Sequence, residues 1–214
     1  MATTAREAVG TGTHNCVLAP HLKDSLSEQD GGKYGRMFPE LPTPSADEAA
    51  LLALGRSGAV MDDASGVDEG DNHCIPAGFT FFGQFIAHDI TADRSLLQHH
   101  ANLKEVRNFR APRLDLESVY AAGPSGTPYF YDLNDGDKFL LGRNDAGRPD
   151  DLPRNSQGRA LVGDPRDDVH LIISQLHLAF LKFHNAVVDW VRAQGVPAAD
   201  VFAEAQRLVR WHYQ

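Results

Sequence analysis

GFTFFGQFIAHDIT, residues 78–91, is the most hydrophobic stretch in the first half of the chain, and its spacing predicts a helix. Phe81, Gln84, Phe85 and His88 fall at three- and four-residue steps, so Gln84 and His88 leave the same helical face. A mostly buried helix then directs two polar groups into one interior space. Upstream lies GRSGAVMDDASGVDEGDNHCIPAG (55–78), whose Gly, Asp and Ser content reads as a loop. Before it, Ser45-Ala46-Asp47-Glu48 has the form of a capping box, predicting a short helix through Leu54 that Gly55 stops. Residues 1–44 are rich in Gly, Pro, Thr and charge without a sustained period and read as an extended arm. The folded part is expected over 45–214.

Downstream, residues 101–160 carry many Gly, Pro, Asp and Asn between short apolar runs and are expected to be irregular with little strand. At Asp164 the pattern changes again: Asp can cap, Pro165 suits a first helical position, and Asp167 and Asp168 complement a positive helix end. Leu171, Ser174, Leu178, Leu181, Asn185 and Val188 then recur at helical steps until Gly195 and Pro197. One long helix is predicted from about Arg166 to Arg192. The last segment, AADVFAEAQRLVRWHYQ, is amphipathic and stops at Gln214 without Gly, Asn or Pro. The expectation is a fragment, cut from a longer polypeptide or one of two chains that assemble. The fold class expected is mainly α, with long irregular loops and little β.

Composition narrows the function classes. The chain has 214 residues, 42% hydrophobic and 23% charged, which suits one domain or a large part of one. A formal net charge of -9 with scattered Lys and Arg argues against a nucleic-acid surface. No apolar run was expected to reach the roughly 20 residues of a membrane span, and MATTAREAVGTGTHN lacks a signal-peptide core. The expected location is therefore cytoplasmic, export by another route aside. Cys16 and Cys74 lack CxxC spacing and read as free thiols, small and buried.

Two runs carry a family resemblance. GQFIAHDIT, with Gly83, Gln84, His88 and Asp89, resembles the distal motif of haem peroxidases of the animal peroxidase and cyclooxygenase superfamily. GRALVGDPRDDVHLIISQLHLAFLKFHNAVVDW (158–190), with Arg166 after a Gly-Asp pair and His184-Asn185 near the end, resembles the same family's catalytic-arginine helix. The likeness covers residues 75–214 and includes RAPRLDLESVY (110–120) between the two runs. It implies the animal-type haem-peroxidase helical fold, and haem b contacted by Gln84, Ala87, His88, Arg166 and Val169. The reaction implied is oxidation of small organic donors by hydrogen peroxide.

The chemistry needs such a pair. Peroxide cleavage requires one oxygen to lose a proton and the other to gain one, and a neutral imidazole can do both, which is the role given to His88. Charge that builds on the departing oxygen is stabilised by a permanently protonated guanidinium, the role given to Arg166; without its motif neighbours, Arg166 would read as an ion pair with Asp164, Asp167 or Asp168. Gln84, by resemblance, lies near bound water or halide.

The resemblance further implies calcium, a hard cation that gathers several oxygens. Its ligands would be Asp89, Asp115 and Glu117 with the carbonyls of Ala111 and Arg113. Ala111 stands where the family has Thr. The mammalian branch ties haem through esters from positions held here by Ala87 and Val169, neither of which can form one, so non-covalent haem is expected. The proximal histidine lies downstream of the arginine helix in the family, beyond Gln214, so a C-terminal half or second polypeptide would supply it. His177 and His184 read as packed, hydrogen-bonded residues. Two alternatives stand beside the peroxidase: a haem fatty-acid dioxygenase of the same superfamily, and a non-catalytic calcium-binding assembly subunit.

Overall fold

A computed structural model describes residues 32–34, 37–38, 40–42, 45–62, 72–93 and 106–214. Cys16 and most of the expected arm over 1–44 lie outside the described residues. Contacts divide the chain into two units, Gly35–Phe79 and Thr80–Gln214, the second including the described residues up to Tyr34.

In the second unit, strand β1 (Gly32–Lys33) pairs antiparallel with residues 107–108. In the first, helix α1 (Glu48–Gly55) buries none of its residues. Its cap is Asp47, whose carboxylate accepts from the Ala49 N–H at 3.4 Å, and not Ser45 as the capping-box pattern predicted. The nearer acidic side chain wins the first turn. Cys74 is a free thiol, but exposed where a buried one was expected.

The predicted helix over the apolar stretch is α2 (Gly78–Ile90), with Phe85, His88 and Asp89 buried. It is half-buried rather than mostly buried, since Gly83 and Ala87 are exposed. After β2 (Arg107–Asn108) come two single-turn helices, α3 (Glu117–Tyr120) and α4 (Gly123–Gly126), and a hairpin of β3 (Tyr131–Asp132) and β4 (Asp135–Phe139). Strand pairing among the described residues is otherwise confined to isolated bridges, so the fold is mainly helical with little sheet, as expected.

The predicted long helix is broken. Asp164 caps, with its carboxylate accepting from the Arg166 N–H at 2.9 Å, but what it caps is a 3₁₀ turn, Pro165–Asp168. The α-helix proper, α5, runs Leu171–Ala193 and has its own cap: His170 Nδ1 accepts from the Ile173 N–H at 3.4 Å. Gly195, at φ 78°, ends it in the left-handed conformation open to glycine. Helix α6 (Val201–Tyr213) then packs along α5.

The core forms where α2, α5 and α6 meet the hairpin, around Phe85, Tyr120, Phe139, Ile173 and Val209, all nearly inaccessible. Removing such apolar surface from water is the main stabilising term. A smaller cluster of Val188, Val191, Val201 and Ala205 joins the far ends of α5 and α6. By length and composition alone α5 could cross a bilayer, contrary to the sequence expectation. The protein buries 44% of that stretch, through a face that includes Ile173, His177, Leu178, Leu181, His184 and Val188.

Candidate functional site

The 3₁₀ turn Pro165–Asp168 is the hub. Asp167, fully buried, lies between two imidazoles: His88 Nδ1 is 2.7 Å from Oδ1 and His177 Nδ1 is 2.7 Å from Oδ2. An ionised carboxylate only accepts, so both rings donate from Nδ1, and in a neutral ring Nε2 is then the bare lone pair. His88 is 7% exposed and His177 1%. His177 stands edge-on to Phe85, with centroids 6.3 Å apart.

Arg166 points elsewhere. Its Nε donates to Asp164 Oδ1 at 3.0 Å and its Nη2 to Asp164 Oδ2 at 2.8 Å. Nη2 also meets the carbonyls of His88, at 3.1 Å, and Thr91. The guanidinium thus covers the last carbonyls of α2, where a cation complements the negative helix end. The structure realises the ion pair with Asp164, and joins Arg166 to His88 through the backbone instead of side chain to side chain. None of these bonds uses Nη1.

Gln84 and His88 do face the same way, as the spacing predicted, and both reach the 165–171 segment. Gln84 Oε1 accepts from His170 Nε2–H at 3.1 Å, the tautomer that the Nδ1 cap requires. Ala87 is exposed, as are Val169 (59%), Leu171 (73%) and Ile172 (48%). An apolar, solvent-facing surface therefore adjoins the Gln84–His170 bond. Ala87 and Val169 offer no carboxylate for a covalent link.

Of the five residues expected to bind calcium, Asp89, Asp115 and Glu117 lie close enough for Asp115 to raise the carboxyls of the other two, but each is engaged by groups of the protein itself. Asp89 is fully buried, and its carboxylate accepts from the N–H groups of Leu116 (3.0 Å) and Ser118 (3.3 Å). Leu114 and Leu116 adopt left-handed φ of 55° and 57°, and the loop so bent turns N–H donors toward Asp89, where a cation would need carbonyls. The Ala111 carbonyl accepts from the Arg113 N–H, the Asp115 side chain from the Glu117 N–H, and the Asp115 carbonyl from Arg210. Glu117 Oε1 pairs at 2.9 Å with Arg110, a buried guanidinium that also contacts Asp164 at 3.1 Å. Among the described residues no group of three or more His, Cys, Asp or Glu side chains is placed to hold a metal ion. As folded here, the set does not fit calcium, because Arg110 already supplies the buried positive charge.

Electrostatics separates these carboxyls. Burial acts to raise Asp164, but the hydrogen bonds and charge of Arg166, with Arg110 beyond, outweigh it and hold the carboxyl down at about 2. Glu117 has a single guanidinium contact, and burial pushes it up to about 7. Burial also raises Asp89. Arg110 is the other half of an unequal pair: against burial, Glu117 and Asp164 together keep it protonated. Gly163 permits the close approach, since a Cβ there would lie 2.4 Å from the Ser118 carbonyl oxygen.

No family model matches the chain, and no curated protein does. Among solved structures, a fatty acid alpha-dioxygenase from Arabidopsis thaliana superposes with a TM-score of 0.46 at 17% identity. The overlap takes in 61% of this chain and 24% of that one. So slight a likeness carries no inference about activity, and the site has to be read from its own geometry.

That geometry contains residues that the sequence reading passed over. Asp167 had been assigned to a helix dipole, Arg110 had no role, and His170 is both cap and Gln84 partner. Asn108 holds the end of α2, accepting from the Ala92 and Arg110 N–H groups and donating to the Ile90 carbonyl. His177 and His184 are packed and hydrogen-bonded, as expected. His184 accepts from the Tyr120 hydroxyl at 3.0 Å and donates to the Asp137 carbonyl at 2.8 Å. Asn185 next to it pairs with both backbone groups of Phe139.

Proposed function

We propose that this chain is the distal part of a haem-dependent peroxidase that uses hydrogen peroxide to oxidise small organic donors. A C-terminal half or second polypeptide would supply the proximal iron ligand. The observation that carries the reading is His88: nearly buried and held at Nδ1 by Asp167, so that Nε2 is the nitrogen left to act as a base. Haem, when bound there, would supply the iron at which peroxide is activated and the capacity to store oxidising equivalents.

The chain's own residues would handle the proton and the charge. His88 Nε2 takes the proton from one peroxide oxygen and returns it to the other, and the Nδ1 bond to Asp167 steadies the ring while it is charged. Arg166 keeps Nη1 outside its four bonds, the part of the guanidinium free to meet negative charge on the departing oxygen. Gln84, with Oε1 accepting from His170, still has its amide N–H groups to donate to bound water. Haem would be held non-covalently, since Ala87 and Val169 cannot form esters.

The test is His88→Ala in the complete, haem-loaded protein. Peroxide-driven oxidation of a phenolic donor should fall by ~10²-fold to 10⁴-fold at unchanged haem content. A variant as fast as the parent would return His88 to a packing role. Oxygen-dependent turnover of a fatty acid, with no response to peroxide, would move the assignment to a dioxygenase. A complete protein that takes up no iron would leave an assembly subunit.

A further inference from the structure

We propose that Asp167 is a positioning residue: its carboxylate, accepting from His88 and His177 at once, holds His88 in the tautomer whose Nε2 is free. The catalytic meaning of that tautomer rests on the peroxidase reading above; the tautomer itself does not.

Two imidazoles at 2.7 Å from the two oxygens of one buried carboxylate must both present N–H, because the carboxylate has only lone pairs to offer. A neutral ring has a single N–H, so Nε2 is bare on both. A carboxylate held at both oxygens cannot swing about its last bond. His177, fixed on the buried face of α5 against Phe85, therefore orients Asp167, and Asp167 orients His88. When His88 gains a proton at Nε2 its charge is hydrogen-bonded to Asp167, and when it gives the proton back the ring returns to the same tautomer. No proton passes to Asp167.

The break in the helix makes this contact. Had the chain run as one α-helix from residue 166, Asp167 and His177 would be ten residues and roughly 15 Å apart along its axis. The 3₁₀ turn ends at Asp168 and α5 begins at Leu171, with Val169 and His170 turning the chain between them. Asp167 is thereby brought back over the first turns of α5.

Asp167→Asn is the decisive substitution. A carboxamide accepts at one atom and donates at the other, so it satisfies one ring in the present tautomer and forces the second to accept at Nδ1 and carry its proton on Nε2. His88 should be the ring that changes, because its side chain keeps 9% of its surface, enough to give an Nε2–H to water, and that of His177 keeps 1%. The base would then face outward already protonated. In Ser-His-Asp enzymes the same exchange lowers turnover by about 10⁴ through the wrong tautomer, and a loss of at least ~10²-fold in peroxide turnover is expected here.

The experiment is long-range ¹H–¹⁵N correlation on the whole chain labelled at histidine, near neutral pH, with signals assigned through His88→Gln and His177→Gln. In the parent, both rings should be protonated on Nδ1; Asp167→Asn should move one of them, His88, to Nε2–H. His177→Gln still offers Asp167 an amide donor and should leave His88 on Nδ1. The proposal is overturned by a parental His88 protonated on Nε2, by an Asp167→Asn variant in which both rings stay on Nδ1, or by a His88 that switches in His177→Gln. If Asp167→Asn does not fold, the parental spectrum and His177→Gln decide. None of these spectra needs haem, so a chain with the expected tautomers that forms no haem enzyme would sink the peroxidase reading and leave this one standing.

Discussion

Asp164 and Asp167 sit three residues apart on one short turn, both buried, and they do opposite things. Asp164 faces two guanidinium groups, those of Arg166 and Arg110, and its carboxyl is held at about 2. Asp167 faces two imidazoles that each give it one N–H and keep a second nitrogen. Pairing with arginine ends in neutralised charge and a fixed scaffold. Pairing with histidine leaves a lone pair able to do chemistry. The turn is thus split between a largely structural end, tied to the end of α2 and the 110–118 loop and leaving only Nη1 of Arg166 outside its bonds, and a chemical end.

The largest effect should come from the structural end. Arg110→Met would leave Glu117 and Asp164 buried with one cation fewer, and removing one partner of a buried ionic cluster costs about 3–5 kcal/mol. Urea unfolding of the variant should show a loss in that range; a loss below about 1 kcal/mol would mean that charge does not hold this cluster. Exhaustive chelation of the parent should leave its unfolding midpoint unchanged, since Arg110 takes the place expected for calcium. One tightly held calcium per chain would show instead that the loop rearranges around metal.

The sequence made the elements legible and left the hub hidden. Periodicity located α2, α5 and α6, and spacing alone put Gln84 and His88 on one face. The break at Val169–His170 left no signal, because a run of Asp after Pro reads equally as the acidic first turn of a longer helix, and His is a weak helix cap. The Asp167 contacts depend on that break, so they stayed hidden with it. Arg110 was invisible for a different reason: a basic residue in a Pro-rich loop reads as solvated unless the buried carboxylates around it are known.

A mid-sized effect should appear with pH, and two buried groups act in opposite senses. Burial pushes His184 down to about 4 from its ordinary 6.5, so the folded state binds fewer protons there than the unfolded chain. Its contribution is complete above 6.5 and lost as pH falls toward 4, with a limit of roughly 3 kcal/mol. Glu117, raised to about 7 from 4.5, does the reverse: its contribution is complete below 4.5 and lost as pH rises through 7. Between 4.5 and 6.5 the two partly cancel. Asp164 stays ionised throughout that window. Glu117→Gln, measured in chelator, should therefore lose stability more steeply on acidification than the parent. An equal slope would mean that Glu117 titrates alike in the folded and the unfolded chain, and that burial does not raise it.

The smallest effect should come from Gln84→Ala, and its smallness is what the comparison needs. Gln84 and His88 share a helical face and each bonds to the 165–171 segment, so a contact map gives them equal weight. Their surroundings differ. The Gln84–His170 bond, at 3.1 Å, is exposed, so deleting the acceptor returns the His170 N–H to water and leaves no unsatisfied donor. The cap from His170 to Ile173 uses the other nitrogen and survives. The expected change in unfolding free energy is within about 0.5 kcal/mol. The His88–Asp167 bond is buried, and loss of its acceptor has no water to fall back on. Thermal melting of Gln84→Ala beside Asp167→Ala separates the cases. A loss above about 2 kcal/mol for Gln84→Ala would show that the exposed bond seats the first turn of α5, and that burial does not distinguish the two polar groups of this face.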